Sequence, residues 1–295
     1  MPMPRFADVV LVVAVLLTTS PAGAAMIAAP QPPGTASPEI DGPASSEGCA
    51  ASPISPAAAT PPVGLSGCPG VRPGAAVRTD AALCTLGFLF RGTDGERYVA
   101  TSAQCMGAFF GERAPARGRG VVASDEFGRR IGEFAYGVTD IRADFALIRL
   151  DRDVQASAQM CHFGGPTGRN DDGGAEPVVL HYYGTGFLTS RISVVPEGVG
   201  LGRVAPGRSA FAVGLDDPDW VFAFGTAIYG DLGSAVISSD GRAVGLLVFA
   251  GVVRSGTHSG TLGIMRLGPQ VDRAEKRLRI GLELMTAPVT SGAIL

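Results

Sequence analysis

Side chains able to exchange a proton near neutral pH are few, because the 295 residues include three histidines. His162 follows Cys161, His181 sits inside Leu180-His181-Tyr182, and His258 lies in Ser255-Gly256-Thr257-His258-Ser259. Nucleophilic catalysis needs a base, a nucleophile and an oxyanion site within mutual reach. Each histidine reads instead as a surface or internally bonded residue. Cys49, Cys68, Cys84, Cys105 and Cys161 lack the paired short spacings of a zinc site, so neither a metal nor another cofactor is expected. Three other segments stand out: Ala100-Thr101-Ser102-Ala103-Gln104-Cys105, Asp144-Phe145-Ala146-Leu147-Ile148, and the turn-like Gly230-Asp231-Leu232-Gly233-Ser234. They set a carboxamide, a carboxylate and a glycine-flanked leucine in order along the chain.

The elements that must position these residues are short β-like runs. Leu86–Phe90 and Arg97–Ala100 flank Thr93-Asp94-Gly95, and Ala235–Ser238 and Ala243–Val248 flank Asp240-Gly241; apolar runs around such turn residues signal hairpins. Further strands are expected at 120–123, 131–136, 145–150, 178–183 and 220–224. Many short strands with glycine-rich joints, 42 Gly in all, read as an all-β barrel or sandwich. Helical periodicity is confined to the end, where Leu267, Val271, Ala274, Leu278 and Leu282 recur at three- and four-residue steps. This predicts a C-terminal amphipathic helix over about 267–285, packed on the barrel.

The order and spacing of the three segments resemble the trypsin/chymotrypsin-like serine peptidases of bacterial, secreted type. Thr101-Ser102-Ala103-Gln104-Cys105 is similar to the family's Thr-Ala-Ala-His-Cys segment. Asp144 follows 40 positions after Gln104 (144 − 104), and Leu232 a further 88 positions on (232 − 144). Gly230-Asp231-Leu232-Gly233 resembles the family's Gly-Asp-Ser-Gly turn. The resemblance covers roughly residues 68–285 and implies two six-stranded antiparallel β-barrels, about 68–155 and 156–265, with a site in the cleft between them. It also implies disulfides Cys84–Cys105 and Cys68–Cys161, leaving Cys49 over.

In that family a histidine takes the serine proton, an aspartate fixes the histidine, and two backbone N–H groups hold the oxyanion. Asp144 matches the aspartate. Gln104 stands at the histidine's position, and a carboxamide has no basic nitrogen to accept the proton, although it can donate an N–H bond to Asp144. Leu232 stands at the serine's position and offers no nucleophilic atom. The N–H groups of Gly230 and Leu232 retain the makings of an oxyanion-like nest. Val248 takes the place of a serine that usually bonds the aspartate, Ala250 that of a pocket glycine, and uncharged Thr226 is expected at the pocket base. No Ile-Val-Gly-Gly activation sequence precedes Cys84, so Asp231 needs another partner. Ser234 is expected to point away from the site.

Composition narrows the function. Net charge is −3 and charged residues are only 17%, which argues against a nucleic-acid binder, since that needs a basic face. Arg5, the apolar run from Val9 to Leu17 and Ser20-Pro21-Ala22-Gly23-Ala24-Ala25 form a signal-peptide pattern ending after Ala24 or Ala25. The run is shorter than the ~18–20 residues that span a bilayer, so no stable membrane span is expected after cleavage. Residues 26–67 are rich in Pro, Ala, Ser and Gly and read as a disordered linker; the peptidase-like domain then occupies 68–295. The expectation is a secreted, non-catalytic homologue that binds protein or peptide through the inter-barrel cleft or its loops. The competing expectations are an active or recently inactivated serine endopeptidase and a purely structural surface role.

Overall fold

The computed structural model describes residues 70–107, 120–140, 142–170, 179–185, 207–214, 217–255 and 258–290. The expected signal peptide, the linker, Cys49 and Cys68 lie outside them. Strands come in chain order as β1 (Ala76–Arg78), β2 (Leu83–Thr85), β3 (Leu89–Gly92), β4 (Arg97–Thr101), β5 (Val122–Ser124), β6 (Arg130–Asp140) and β7 (Ala143–Leu150). There follow β8 (Val179–Tyr183), β9 (Gly207–Gly214), β10 (Trp220–Phe224), β11 (Ala235–Ser238), β12 (Ala243–Ser255) and β13 (His258–Arg266). One helix, α1 (Leu267–Leu278), and a last strand, β14 (Leu282–Leu284), complete the described chain.

These strands make two antiparallel sheets. The second closes on itself as a six-stranded barrel in the order β10-β13-β12-β11-β8-β9. Its interior follows the period of two that a pleated strand imposes: Leu180 and Tyr182 on β8, Ala210 and Ala212 on β9, Val221 and Ala223 on β10, and Leu262 and Ile264 on β13 all face one core. The first sheet carries eight strands in the order β14-β3-β4-β7-β6-β5-β1-β2 and stays open as a half-barrel, where six closed strands were expected. β14 forms one edge, on β3, and β2 forms the other, paired with β1.

β14 also corrects the expected helix end. α1 stops at Leu278 because Arg279 adopts a left-handed conformation (φ 59°) with its N–H bonded to the Glu275 carbonyl, a helix-stop geometry. Gly281 follows, and Leu282, Glu283 and Leu284 then pair with Gly92, Arg91 and Phe90 of β3. The periodic leucine at 282 belongs to a strand that covers an otherwise open sheet edge. α1 itself is docked as expected, through Leu267, Val271 and Ala274 buried in the larger core. Among the described residues no helix is long and apolar enough to cross a membrane.

Two placements matter for the site. β7 lies at the centre of the first sheet between β4 and β6, and the burial of nearly all its residues explains its unbroken apolar text around Asp144. β4 runs straight into a 3-10 turn, Ala103–Met106, which carries Gln104. The two expected hairpins are present as β3–β4 and β11–β12.

Candidate functional site

Gln104 is delivered by a short turn braced from both ends. Ser102 caps it, accepting the Gln104 N–H at 3.1 Å while donating its own hydroxyl to Asp144 Oδ1 at 2.8 Å. At the other end Cys105 forms the disulfide with Cys84, across a sequence separation of 21. Cys161 is also disulfide-bonded, while Cys68, its expected partner, lies outside the described residues.

Asp144 is fully buried and every bond it receives comes from a neutral donor. Oδ1 takes the Ser102 hydroxyl and the Ala103 N–H, the latter at 2.7 Å, and Oδ2 takes Gln104 Nε2 at 2.5 Å. Burial raises its pKa to about 6, against the opposing pull of the bonds from Gln104, Ser102 and Ala103. Gln104 Nε2 also donates to the Val248 carbonyl at 3.0 Å. With both amide hydrogens pointed at acceptors, the orientation of the carboxamide is fixed: a flipped group would set an oxygen against two oxygens. The side chain thus ties the first sheet to β12 of the barrel. Val248 contributes its carbonyl, while its side chain is buried.

Across from it, the turn 230–233 is held by an ion pair. Asp231 is 1% exposed and Arg208 8%, by side chain. The guanidinium grips the carboxylate with two bonds, Nη1 to Oδ2 and Nη2 to Oδ1, both 2.7 Å. It lies over the Tyr182 ring at 5.1 Å and bonds the Thr226 carbonyl at 3.0 Å, which also accepts the Tyr182 hydroxyl at 2.5 Å. The Ile228 N–H adds a further bond to Asp231 at 2.8 Å. Arg208 is therefore the partner that Asp231 required.

The backbone of the turn is pinned to the first sheet by Thr85. Its hydroxyl donates to the Gly230 carbonyl at 2.8 Å and its N–H to the Leu232 carbonyl at 2.9 Å. Gly233, at φ 91°, packs so closely that a Cβ there would lie 2.2 Å from Thr101 Oγ1 and 2.4 Å from the Thr85 carbonyl. Gly230 has φ 101° and Gly233 φ 91°, so two left-handed glycines bracket Asp231 and Leu232. The N–H groups of Gly230 and Leu232 have no acceptor among the described residues. Gly230 is buried, and a buried N–H without a partner is uncommon.

Of the other residues picked out from the sequence, His162 and His181 stand apart from this seam, while Thr226 and Ser234 join it through Arg208 and Asp231. Ser234 turns inward, its hydroxyl bonded to the Asp231 carbonyl at 2.6 Å. Buried His181 holds Ser209 Oγ at 2.9 Å through Nδ1, and burial lowers its pKa. His162 is exposed, with its ring edge-on to Phe163. Thr226 and Ala250 are exposed at the barrel surface.

Sequence reading passed over Arg208, Thr85 and Ser102. Arg208 was detectable: it is in phase with Ala210 and Ala212, so it occupies an interior position of β9, where a charge demands a buried counter-charge. Thr85 and Ser102 act through backbone proximity across the two sheets, for which a linear text carries no sign.

No family model and no curated protein matches the chain. Solved structures do. A glutamic acid-specific serine protease described as using a histidine triad in substrate binding is 14% identical, over 74% of this chain and 100% of that one, at a TM-score of 0.47. Thermobifida fusca protease A is 13% identical over 73% and 99%, at 0.45. Nocardiopsis protease is 16% identical over 72% and 98%, also at 0.45. The likeness is one of fold, and the architecture above rests on strand order.

Proposed function

We propose that the chain is an exported, non-catalytic member of the serine-peptidase fold group that binds an extended peptide or protein segment in the cleft between the half-barrel and the barrel. The observation that carries this reading is the Gln104 carboxamide spanning Asp144 and Val248, opposite a leucine in a turn that is otherwise fully braced. A general base and a nucleophile are both missing from positions whose supports are intact. The oxyanion-like N–H pair and the free side of β12 remain. Beyond Leu247, which still bonds Ser234, and Val248, whose carbonyl Gln104 holds, residues 249–255 of β12 pair only with β13 among the described residues. An unpaired strand edge accepts an extended chain by β-addition. The Cys84–Cys105 disulfide supports an oxidising, exported setting.

Two assays on the mature protein test the reading together. Incubation with a fluorophosphonate serine probe and with casein is expected to give neither labelling nor cleavage. The immobilised protein is expected to retain members of a capped hexapeptide library. Stoichiometric labelling with casein turnover contradicts the non-catalytic half, and an unretained library contradicts the binding half.

A further inference from the structure

We infer that Gln104 is a recognition residue for an intact peptide bond, taking the ligand's N–H on Oε1 while the N–H groups of Gly230 and Leu232 take the carbonyl. This rests on the peptide-binding reading above and specifies how that site reads its ligand. Nε2 has spent both hydrogens on Asp144 and Val248, so Oε1, on the other branch of the same planar amide, is directed away from both. It accepts no bond from any described residue, yet it is not one of the buried side-chain atoms left unpaired. Oε1 is thus an oriented acceptor open to a ligand.

The complementary donors lie across a short seam. Gly233 packs against Thr101 and against the N–H of Ser102, 2.9 Å from where its Cβ would be, and its own N–H bonds the Leu247 carbonyl at 2.7 Å. Leu247 is the residue before Val248, to whose carbonyl Gln104 is tied. An acceptor on the half-barrel side and two donors without an acceptor on the barrel side are thus brought to one seam. A secondary amide is the group that matches both: its oxygen fits the donor pair and its N–H fits Oε1. A terminal carboxylate satisfies the donors but sets negative charge beside Oε1, and an ester supplies no hydrogen for it. The half-buried Leu232 lies where the chain would cross, and it offers packing without chemistry. The histidine of an active peptidase donates to a departing nitrogen; here the same position accepts from a nitrogen that stays.

The test is an ester scan. A hexapeptide retained from the capped library is resynthesised with each amide in turn replaced by an ester, and affinities are measured by fluorescence anisotropy. A lost hydrogen bond that strands its partner weakens binding ~10-fold or more, so the scan is expected to show that loss at the amide beside Gln104 as well as at amides whose N–H pairs with β12. In Gln104→Leu the discrimination at that position is expected to collapse while the other positions keep their pattern. Should Gln104→Leu fail to fold, Gln104→Met, which keeps the length and lacks the acceptor, takes its place, and a pattern of losses that either variant leaves unchanged overturns the inference. Ester isosteres that all bind like the parent amide overturn the inference and leave the peptide-binding reading standing. Failure of the library to be retained overturns that reading, and this inference with it.

Discussion

Two buried aspartates lie on either side of the seam between the half-barrel and the barrel, and their surroundings differ in kind. Asp231, on the barrel side, is neutralised by the Arg208 guanidinium in a bidentate pair. Asp144, on the half-barrel side, is met by neutral donors: a hydroxyl, backbone N–H groups and a carboxamide N–H. The first arrangement fixes the turn that bears Leu232 by charge. The second leaves a carboxylate in low dielectric without a cation, so burial outweighs the bonds and the pKa rises to about 6. On that side the covalent brace is the Cys84–Cys105 disulfide, which holds the Gln104 turn without help from charge. Each wall is held in place by its own means, one by a buried ion pair and the other by neutral donors and a disulfide.

The largest effect is expected on the charged wall. Removing one partner from a buried ion pair strands the other, so Arg208→Ala is expected to cost about 3–5 kcal/mol by urea denaturation. A loss below ~1 kcal/mol, the range of exposed pairs, would show that the two walls do not differ as described. On the opposite wall, replacing Cys84 and Cys105 together by serine frees a 21-residue separation and is expected to cost about 3 kcal/mol.

The two walls must also separate by pH. The folded pKa of Asp144 lies above its ordinary value of 3.8, so the folded state holds the proton longer than the unfolded one. Its contribution to stability is fully present below pH 3.8 and is lost as pH rises through about 6. The stability of the wild type relative to Asp144→Asn is therefore expected to fall, by on the order of 3 kcal/mol, across that window. A difference that is flat or rising from pH 4 to 7 would contradict a neutral-donor site. The smallest effect is expected for Gln104→Leu, about 1–2 kcal/mol at pH 7 and less below pH 4, where a protonated Asp144 needs fewer donors.

How much of this was legible in the sequence follows the range of the interactions. The hairpins, the alternating interior of the barrel and the docked face of α1 are local patterns, readable from one strand or helix at a time. Gln104 and Leu232 were conspicuous because of what surrounds them. β1, β2 and β14 were not legible, because they are three residues each and are strands only by virtue of their partners. β9 was missed because its interior positions hold Arg208, Ala210 and Ala212 while Phe211 and Val213 face outward, the reverse of the usual apolar-inside alternation. Thr85 joins the turn across 145 positions in its bond to Gly230, a contact that exists only once both sheets have folded.

The central claim is that both walls persist around a site stripped of its reacting atoms, and it is tested most directly by putting them back. Casein hydrolysis is measured for the wild type and for Gln104→His combined with Leu232→Ser, at pH 8, with urea denaturation confirming that both are folded. The account predicts no turnover by the wild type and clear turnover by the double variant. Hydrolysis by the wild type, or continued silence from a folded double variant, would contradict it.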